Sequence, residues 1–235
     1  MMTRPAPASA RFAALAERRL GRFGQVVISP MLEIVPLMPA PEIPAEAALA
    51  FTSENAVRIA ATRFDPTGRP AWCVGDRTAD VARQMGFAAR SAGGDAAALA
   101  DLLGEDAPDK EILHLSGVHQ TGDLAERLAL KGLRARRVAI YDQRPLPLSS
   151  EARAALKAPT PVALPLFSPR SAALTRTALP NETQARLLLP FLSPAVARAW
   201  AEGGSDPRWR SAVAPTPDAE GMLRALGDVL EDAAE

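Results

Sequence analysis

The chain is poor in the residues that usually announce chemistry. Cys73 is its only cysteine, so no intrachain disulfide can form. It stands in an apolar stretch and reads as a small buried hydrophobe rather than a nucleophile. His114 and His119 are the only histidines and have no cysteine partners, so no zinc site and no other metal site is expected. Charge of either sign is not in excess: 27 Lys and Arg balance 27 Asp and Glu. A nucleic-acid binder would show a basic surplus, so none is expected as a partner. An anionic small molecule remains open, because helix N-termini bind anions without net positive charge. No apolar run is long enough for a bilayer. The acid-free start, Met1 to Ala16, reads as a strand stub, a turn and a helix rather than a transit peptide. The expected setting is the cytoplasm. A G-x-G-x-x-G loop after a strand, a Walker A loop and a G-x-S-x-G elbow are all missing.

What is present is alternation. Trp72-Cys73-Val74 reads as a buried strand, Gly75 as a turn, and Asp76 as the N-cap of a helix that ends at Gly86. The same strand–turn–helix order recurs: Ala48 to Phe51 before a helix from Glu54, Glu111 to Leu115 before a helix from Thr121, Arg186 to Phe191 before a helix from Ala195. A short strand, Gln25 to Ile28, follows the first helix. Such alternation implies parallel sheets with helices on both faces. Proline-rich linkers near Pro36–Pro44 and Asp142–Pro147 cut the chain into three. The outer thirds are short for cores of their own. The expectation is therefore an α/β protein of two flavodoxin-like lobes, each a parallel sheet flanked by helices. Residues 1–34 plus 148–235 make one lobe and 38–144 the other. Hinge segments at about 31–40 and 138–148 run side by side as a two-stranded connector. Ligands tend to sit in the cleft such an arrangement makes.

The turns after the strands carry hydroxyls and helix starts rather than catalytic charges: Thr3-Arg4-Pro5, Thr52-Ser53-Glu54-Asn55, Gly75-Asp76-Arg77-Thr78, Ser116-Gly117, Ser168-Pro169-Arg170-Ser171 and Ser193-Pro194. In a doubly wound sheet these lie at the carboxyl ends of strands, the usual ligand edge. Each one alone is explained by N-capping. The set suits a substrate with many carboxylates, with Thr52, Ser53, Thr78, Ser116, Ser168 and Ser171 as candidate contacts. One helix terminus contributes only ~0.3–1 kcal/mol to an anion near the surface, so several must act together. Tyr141, the only tyrosine, lies where an extended segment enters the hinge. Its phenol, protonated at neutral pH, can donate a proton or simply sit packed with its hydroxyl wet.

These motifs, in this order and spacing, resemble uroporphyrinogen-III synthase of the tetrapyrrole pathway. The resemblance rests on Thr3-Arg4-Pro5, Phe51-Thr52-Ser53-Glu54-Asn55-Ala56-Val57, Cys73-Val74-Gly75-Asp76-Arg77-Thr78-Ala79, Tyr141, Phe167-Ser168-Pro169-Arg170-Ser171-Ala172 and Pro215-Thr216-Pro217. It implies two α/β lobes on a two-stranded connector and a cofactor-free dehydrating cyclisation; a monomer is expected. The substrate it implies is hydroxymethylbilane, a linear tetrapyrrole with eight carboxylates. Loss of water would give an azafulvene, attack by the far pyrrole a spiro intermediate, and its reclosure an inverted ring. Tyr141 matches the family's hinge tyrosine and is the implied acid for the departing hydroxyl. Thr52, Ser53, Thr78, Ser168 and Ser171 match cleft positions. Many members carry Gly-Pro and two threonines where this chain has Ser193-Pro194-Ala195-Val196. That departure leaves a non-catalytic two-lobed binding or regulatory module on the same fold as the alternative.

Overall fold

Helix α1 (Ala6–Leu20) opens the chain, with Pro5 at its N-cap and Pro7 in its first turn, where a missing N–H costs nothing. The fold is taken from a computed structural model, which describes residues 1–21, 23–106, 109–119 and 122–232. Contacts divide the chain into two units, one of residues 1–33 with 145–235 and one of residues 34–144. Strand β1 (Leu32–Pro36) carries the chain from the first into the second.

The second unit alternates strictly. Strand β2 (Ala48–Phe51) leads to α2 (Glu54–Ala61), β3 (Pro70–Cys73) to α3 (Asp76–Gln84), β4 (Ala88–Ser91) to α4 (Ala96–Asp106), and β5 (Ile112–Gly117) to α5 (Leu124–Leu130) before β6 (Ala135–Pro145). The sheet order is β1-β6-β5-β2-β3-β4, and β2 to β6 pair in parallel. All four residues of β2 are buried, as both faces are covered. Leu49 and Phe51 pack with α2 and α3 through Val57, Ala60, Val81 and Ala82. Ala48 and Ala50 face the cluster that Leu99, Leu103, Leu124 and Leu128 make from α4 and α5.

The first unit follows the same rule with α6 (Ser150–Lys157), β7 (Pro161–Ala163), α7 (Pro169–Thr177), β8 (Arg186–Phe191), α8 (Pro194–Ala201), β9 (Arg210–Val213) and α9 (Ala219–Glu231). Its strands pair in parallel in the order β7-β8-β9. The two-residue period of β8 divides the core. Leu187, Leu189 and Phe191 meet Leu156, Ala172, Val196 and Trp200, while Leu188 meets Phe12, Met222 and Leu226 on the other face. The α/β class expected from the alternation is therefore the class observed.

Four local expectations are corrected. Asp76 is the first residue of α3, not its cap: Gly75 is the N-cap and no side chain bonds there. Ser116 and Gly117 end β5 instead of forming its turn, because their backbone continues the ladder with β6. Asp142 to Pro145 is strand, not linker, since Pro145 comes at the last position, where a lost donor is harmless. It lies beside the other connecting segment, with Leu146 N–H donating to Met31 O and Leu37 N–H to Ile140 O. Gln25 to Ile28 forms only an isolated bridge, Met2 to Ile28, since Gln25 and Val26 are exposed. The expected helix start at Thr121 lies outside the described residues.

Candidate active site

Strand register decides which side chains meet. Phe51 of β2 pairs with Cys73 of β3 and Leu115 of β5, and Gly117 of β5 pairs with Tyr141 of β6. Thr52-Ser53, Val74-Gly75 and Ser116-Gly117 therefore share one level at the carboxyl edge with Tyr141. Counted from β2, the parallel strands run 3-2-1-4-5, so the topological switch falls between β2 and β5. Ligands of open α/β sheets bind outside that point.

Tyr141 is 3% exposed. Its ring lies over Gly117, where a Cβ would stand 2.7 Å from Cε2, 2.8 Å from Cζ and 3.1 Å from the hydroxyl. The Tyr141 hydroxyl hydrogen-bonds with Ser53. Burial raises the phenol above its ordinary value, and the Ser53 bond opposes that less strongly. The group thus holds its proton at neutral pH and can donate it. Ser53, half-buried, also caps α2 by accepting Asn55 N–H at 3.2 Å. The backbone around Tyr141 is bolted down. Val118 N–H donates to its carbonyl at 2.9 Å, and Arg63 Nη2 donates to Leu37 O at 2.6 Å and Ile140 O at 3.2 Å. Beside it, His119 Nε2 lies 3.3 Å from Asp142 Oδ1.

Thr52 Oγ1 lies 3.0 Å from Nε2 of His114, a β5 residue 2% exposed. Burial, and after it the Arg137 charge, lowers the imidazole from 6.5 to about 4. It is neutral in the fold at neutral pH, while in the unfolded chain it titrates near its ordinary value. His114 therefore favours the folded state fully above about pH 6.5 and progressively less as pH falls towards about 4, by roughly 3 kcal/mol across that window. Urea unfolding of wild type against His114→Gln should show this. The wild type should lose more stability between pH 7 and pH 4.5, and parallel losses would refute the assignment.

In the first unit, Phe191 pairs with Val213 and forms a bridge with Leu166, so Ser168, Ser193 and Thr216 follow strands at one level. Ser168 caps α7: its Oγ accepts Ser171 N–H at 3.2 Å and lies 2.8 Å from Ser171 Oγ. Ser193 caps α8 without a side-chain bond. The start of α9 already holds a carboxylate, Asp218, which accepts Gly221 N–H at 2.8 Å. Thr3 is 1% exposed, and its hydroxyl finds no hydrogen-bond partner among the described residues. A cavity of about 380 Å³ in this unit, lined by Phe12, Val27, Val162, Leu188 and Leu226, is too apolar for carboxylates. Among the described residues no cluster of three or more His, Cys, Asp or Glu could hold a metal. The Cys73 thiol is pushed up to about 12 by burial and stays protonated.

Residues 12–224 match the protein family described as Uroporphyrinogen-III synthase HemD. The chain belongs to the uroporphyrinogen-III synthase family. It is thereby an enzyme of the lyase class, with a function in tetrapyrrole biosynthesis. Among solved structures, the uroporphyrinogen-III synthetase of Helicobacter pylori shares its fold, with a TM-score of 0.62 and 17% identity over 91% of this chain and 95% of that one. Wild-type uroporphyrinogen III synthase of Thermus thermophilus aligns over 100% of this chain and 98% of its own, with a TM-score of 0.40 and 19% identity. No curated protein sequence matches the chain. Among the described residues no helix is long and apolar enough to cross a membrane.

Most of the candidate residues named from the sequence fall into two groups. Thr52, Ser53, Ser116 and Tyr141 come together at the β2–β5–β6 edge, and Ser168 and Ser171 come together at the start of α7. Thr78 lies in the first turn of α3 and is 7% exposed. Ser116 has no exposed surface, and its Oγ donates to Gly117 O at 3.3 Å. After Ser193-Pro194, Ala195 is exposed and Val196 is 1% exposed within the first unit's core. His114 and Gly117 are parts of the site that sequence reasoning did not assign. His114 carried one usable signal: a polar, titratable residue amid the apolar run Ile112 to Leu115.

Proposed function

We propose that the chain converts hydroxymethylbilane to uroporphyrinogen III, as its family membership implies. It would act as a single chain in the cytoplasm, without cofactor, metal or nucleic acid. The observation that carries the residue assignment is Tyr141, buried against Gly117 and bonded to Ser53 beside the topological switch. The reaction needs a proton where the hydroxyl of the hydroxymethyl group leaves as water, and the pyrrole N–H releases one as the azafulvene forms. Tyr141 supplies the proton for the departing water, with the Ser53 hydroxyl at its side. Loss of water leaves an azafulvene; the substituted carbon of the far pyrrole attacks it to form the spiro intermediate, which fragments and recloses with that ring inverted. No electrons enter or leave overall, so no redox cofactor is required.

The remaining work is positioning, which converts a floppy chain into one near-attack geometry. Thr52 and Ser53 in the second unit, and Ser168 and Ser171 in the first, take substrate carboxylates with hydroxyl and backbone N–H donors. Thr78 at the start of α3 and Ser116 at the end of β5 belong to the same proposed set of contacts, and both are buried, at 7% and 0% exposed. The zero net charge supports this reading over nucleic-acid binding. The loss of threonines at Ala195 and Val196 favours the alternative of a non-catalytic module, and one experiment separates the two. Purified protein is given hydroxymethylbilane and the oxidised uroporphyrin isomers are separated. Type III should dominate. Type I alone, at the rate of the protein-free control, would leave only the binding module.

A further inference from the structure

We propose that His114 is a positioning residue for Thr52: its Nε2–H donates to Thr52 Oγ1 and thereby turns the threonine hydroxyl hydrogen towards a substrate carboxylate. This rests on the reading of Thr52 as a carboxylate contact. The pair is built by the sheet rather than by sequence proximity. β2 and β5 are neighbours, Ala50 is opposite His114, and Thr52 is two residues beyond Ala50 at the carboxyl edge. The 3.0 Å separation is that of a good hydrogen bond. The 2% exposed imidazole shares a face of β5 with Ile112, which packs with Leu99, Leu103 and Leu128, and an apolar side chain there would bury no polar group.

The chemistry chooses the tautomer. A neutral imidazole has one N–H and one bare nitrogen, and a threonine hydroxyl has one hydrogen and two lone pairs. A carboxylate accepts only, so Thr52 must spend its single hydrogen on it. His114 must then be the donor towards Oγ1. With the burial described above, the ring remains neutral at neutral pH, and the arrangement adds no charge to the site. In this tautomer Thr52 favours an acceptor ligand, and a ligand amine there would be disfavoured.

Two measurements test this. First, the two-bond ¹⁵N–¹H couplings of ¹⁵N-histidine-labelled wild-type protein report the His114 tautomer without any turnover. The Nε2–H form is expected, and the Nδ1–H form overturns the proposal. Second, KM and kcat are measured for Thr52→Val, His114→Leu, their double variant, and His114→Gln. Thr52→Val and His114→Leu should each raise KM about tenfold with kcat changed far less, the size expected for one hydrogen bond to a charged group. The double variant should be no worse than either single one, because both remove the same contact. His114→Gln should hold KM within about threefold of wild type, since its amide N–H can stand in for Nε2–H.

If the His114→Leu and Thr52→Val effects multiply, His114 does not act through Thr52 and the proposal falls. An unchanged KM in Thr52→Val removes Thr52 from the substrate site, a failure of the reading beneath the proposal that the tautomer measurement does not share. Should His114→Leu not fold, His114→Gln and the tautomer decide alone: either a tenfold rise of KM in His114→Gln or an Nδ1–H ring refutes it.

Discussion

Tyr141→Phe should lower kcat on hydroxymethylbilane by about a hundredfold, the low end of what a positioned general acid contributes. KM, the circular dichroism spectrum and the urea midpoint should stay near wild type. The reasoning lies in what phenylalanine keeps. Its ring fills the same space over Gly117, so the packing that leaves Tyr141 3% exposed is undisturbed. Only the hydroxyl goes, and with it the proton that burial holds in place. Ser53 loses a partner but keeps Asn55 N–H, and it is exposed enough for water to replace the rest. Wild-type activity should persist on the alkaline side until pH passes the ordinary phenol range, because the shift is upward. A kcat equal to wild type would remove Tyr141 from the mechanism.

The second large effect concerns a residue with no side chain. Gly117→Ala should cost about 1–3 kcal/mol of stability by overpacking and lower kcat at least as far as Tyr141→Phe. The new Cβ would fall 2.7 Å and 2.8 Å from the ring carbons Cε2 and Cζ, distances that force the ring or the strand to move. Neither yields easily, since β5 is held between β2 and β6 and Tyr141 O is bonded to Val118 N–H. The cause is checked by shrinking the ring. In the double variant Gly117→Ala with Tyr141→Leu, the urea midpoint should recover while turnover stays low. If the midpoint does not recover, the damage lies in the strand backbone and not in the tyrosine contact.

Both effects pass through pairs that differ in how visible they are from sequence. Ser53, Ser149, Ser168 and Asp218 are readable as helix starts because a cap bonds within three residues of itself, and each of them does so. Gly75 and Asp76 show the limit of that reading: either could cap, and backbone conformation alone made Gly75 the cap. Ser116-Gly117 looked like a turn because Ser and Gly favour turns, but pairing with β6 outweighed that preference. Asp142 to Pro145 looked like linker for the same reason. Local preference is worth a few tenths of a kcal/mol per residue, and a ladder position between two strands outbids it.

The sequence by itself determined the α/β class, the order of most elements and the family likeness, since alternation, caps and short motifs are written in windows of a few residues. It also placed Cys73 in an apolar stretch, where burial keeps its thiol protonated. Only the tertiary structure decided that β2 lies between β3 and β5, and with it every contact that defines the site. His114 and Thr52 are 62 residues apart in the chain. Gly117 and Tyr141 meet only because β5 and β6 are neighbours in one register. Strand order is a property of how the covered faces pack together, so no window of the sequence contains it. For that reason the hydroxyls of this candidate site could be nominated from the chain, but the contacts of the histidine beside one and of the glycine beneath the tyrosine could not.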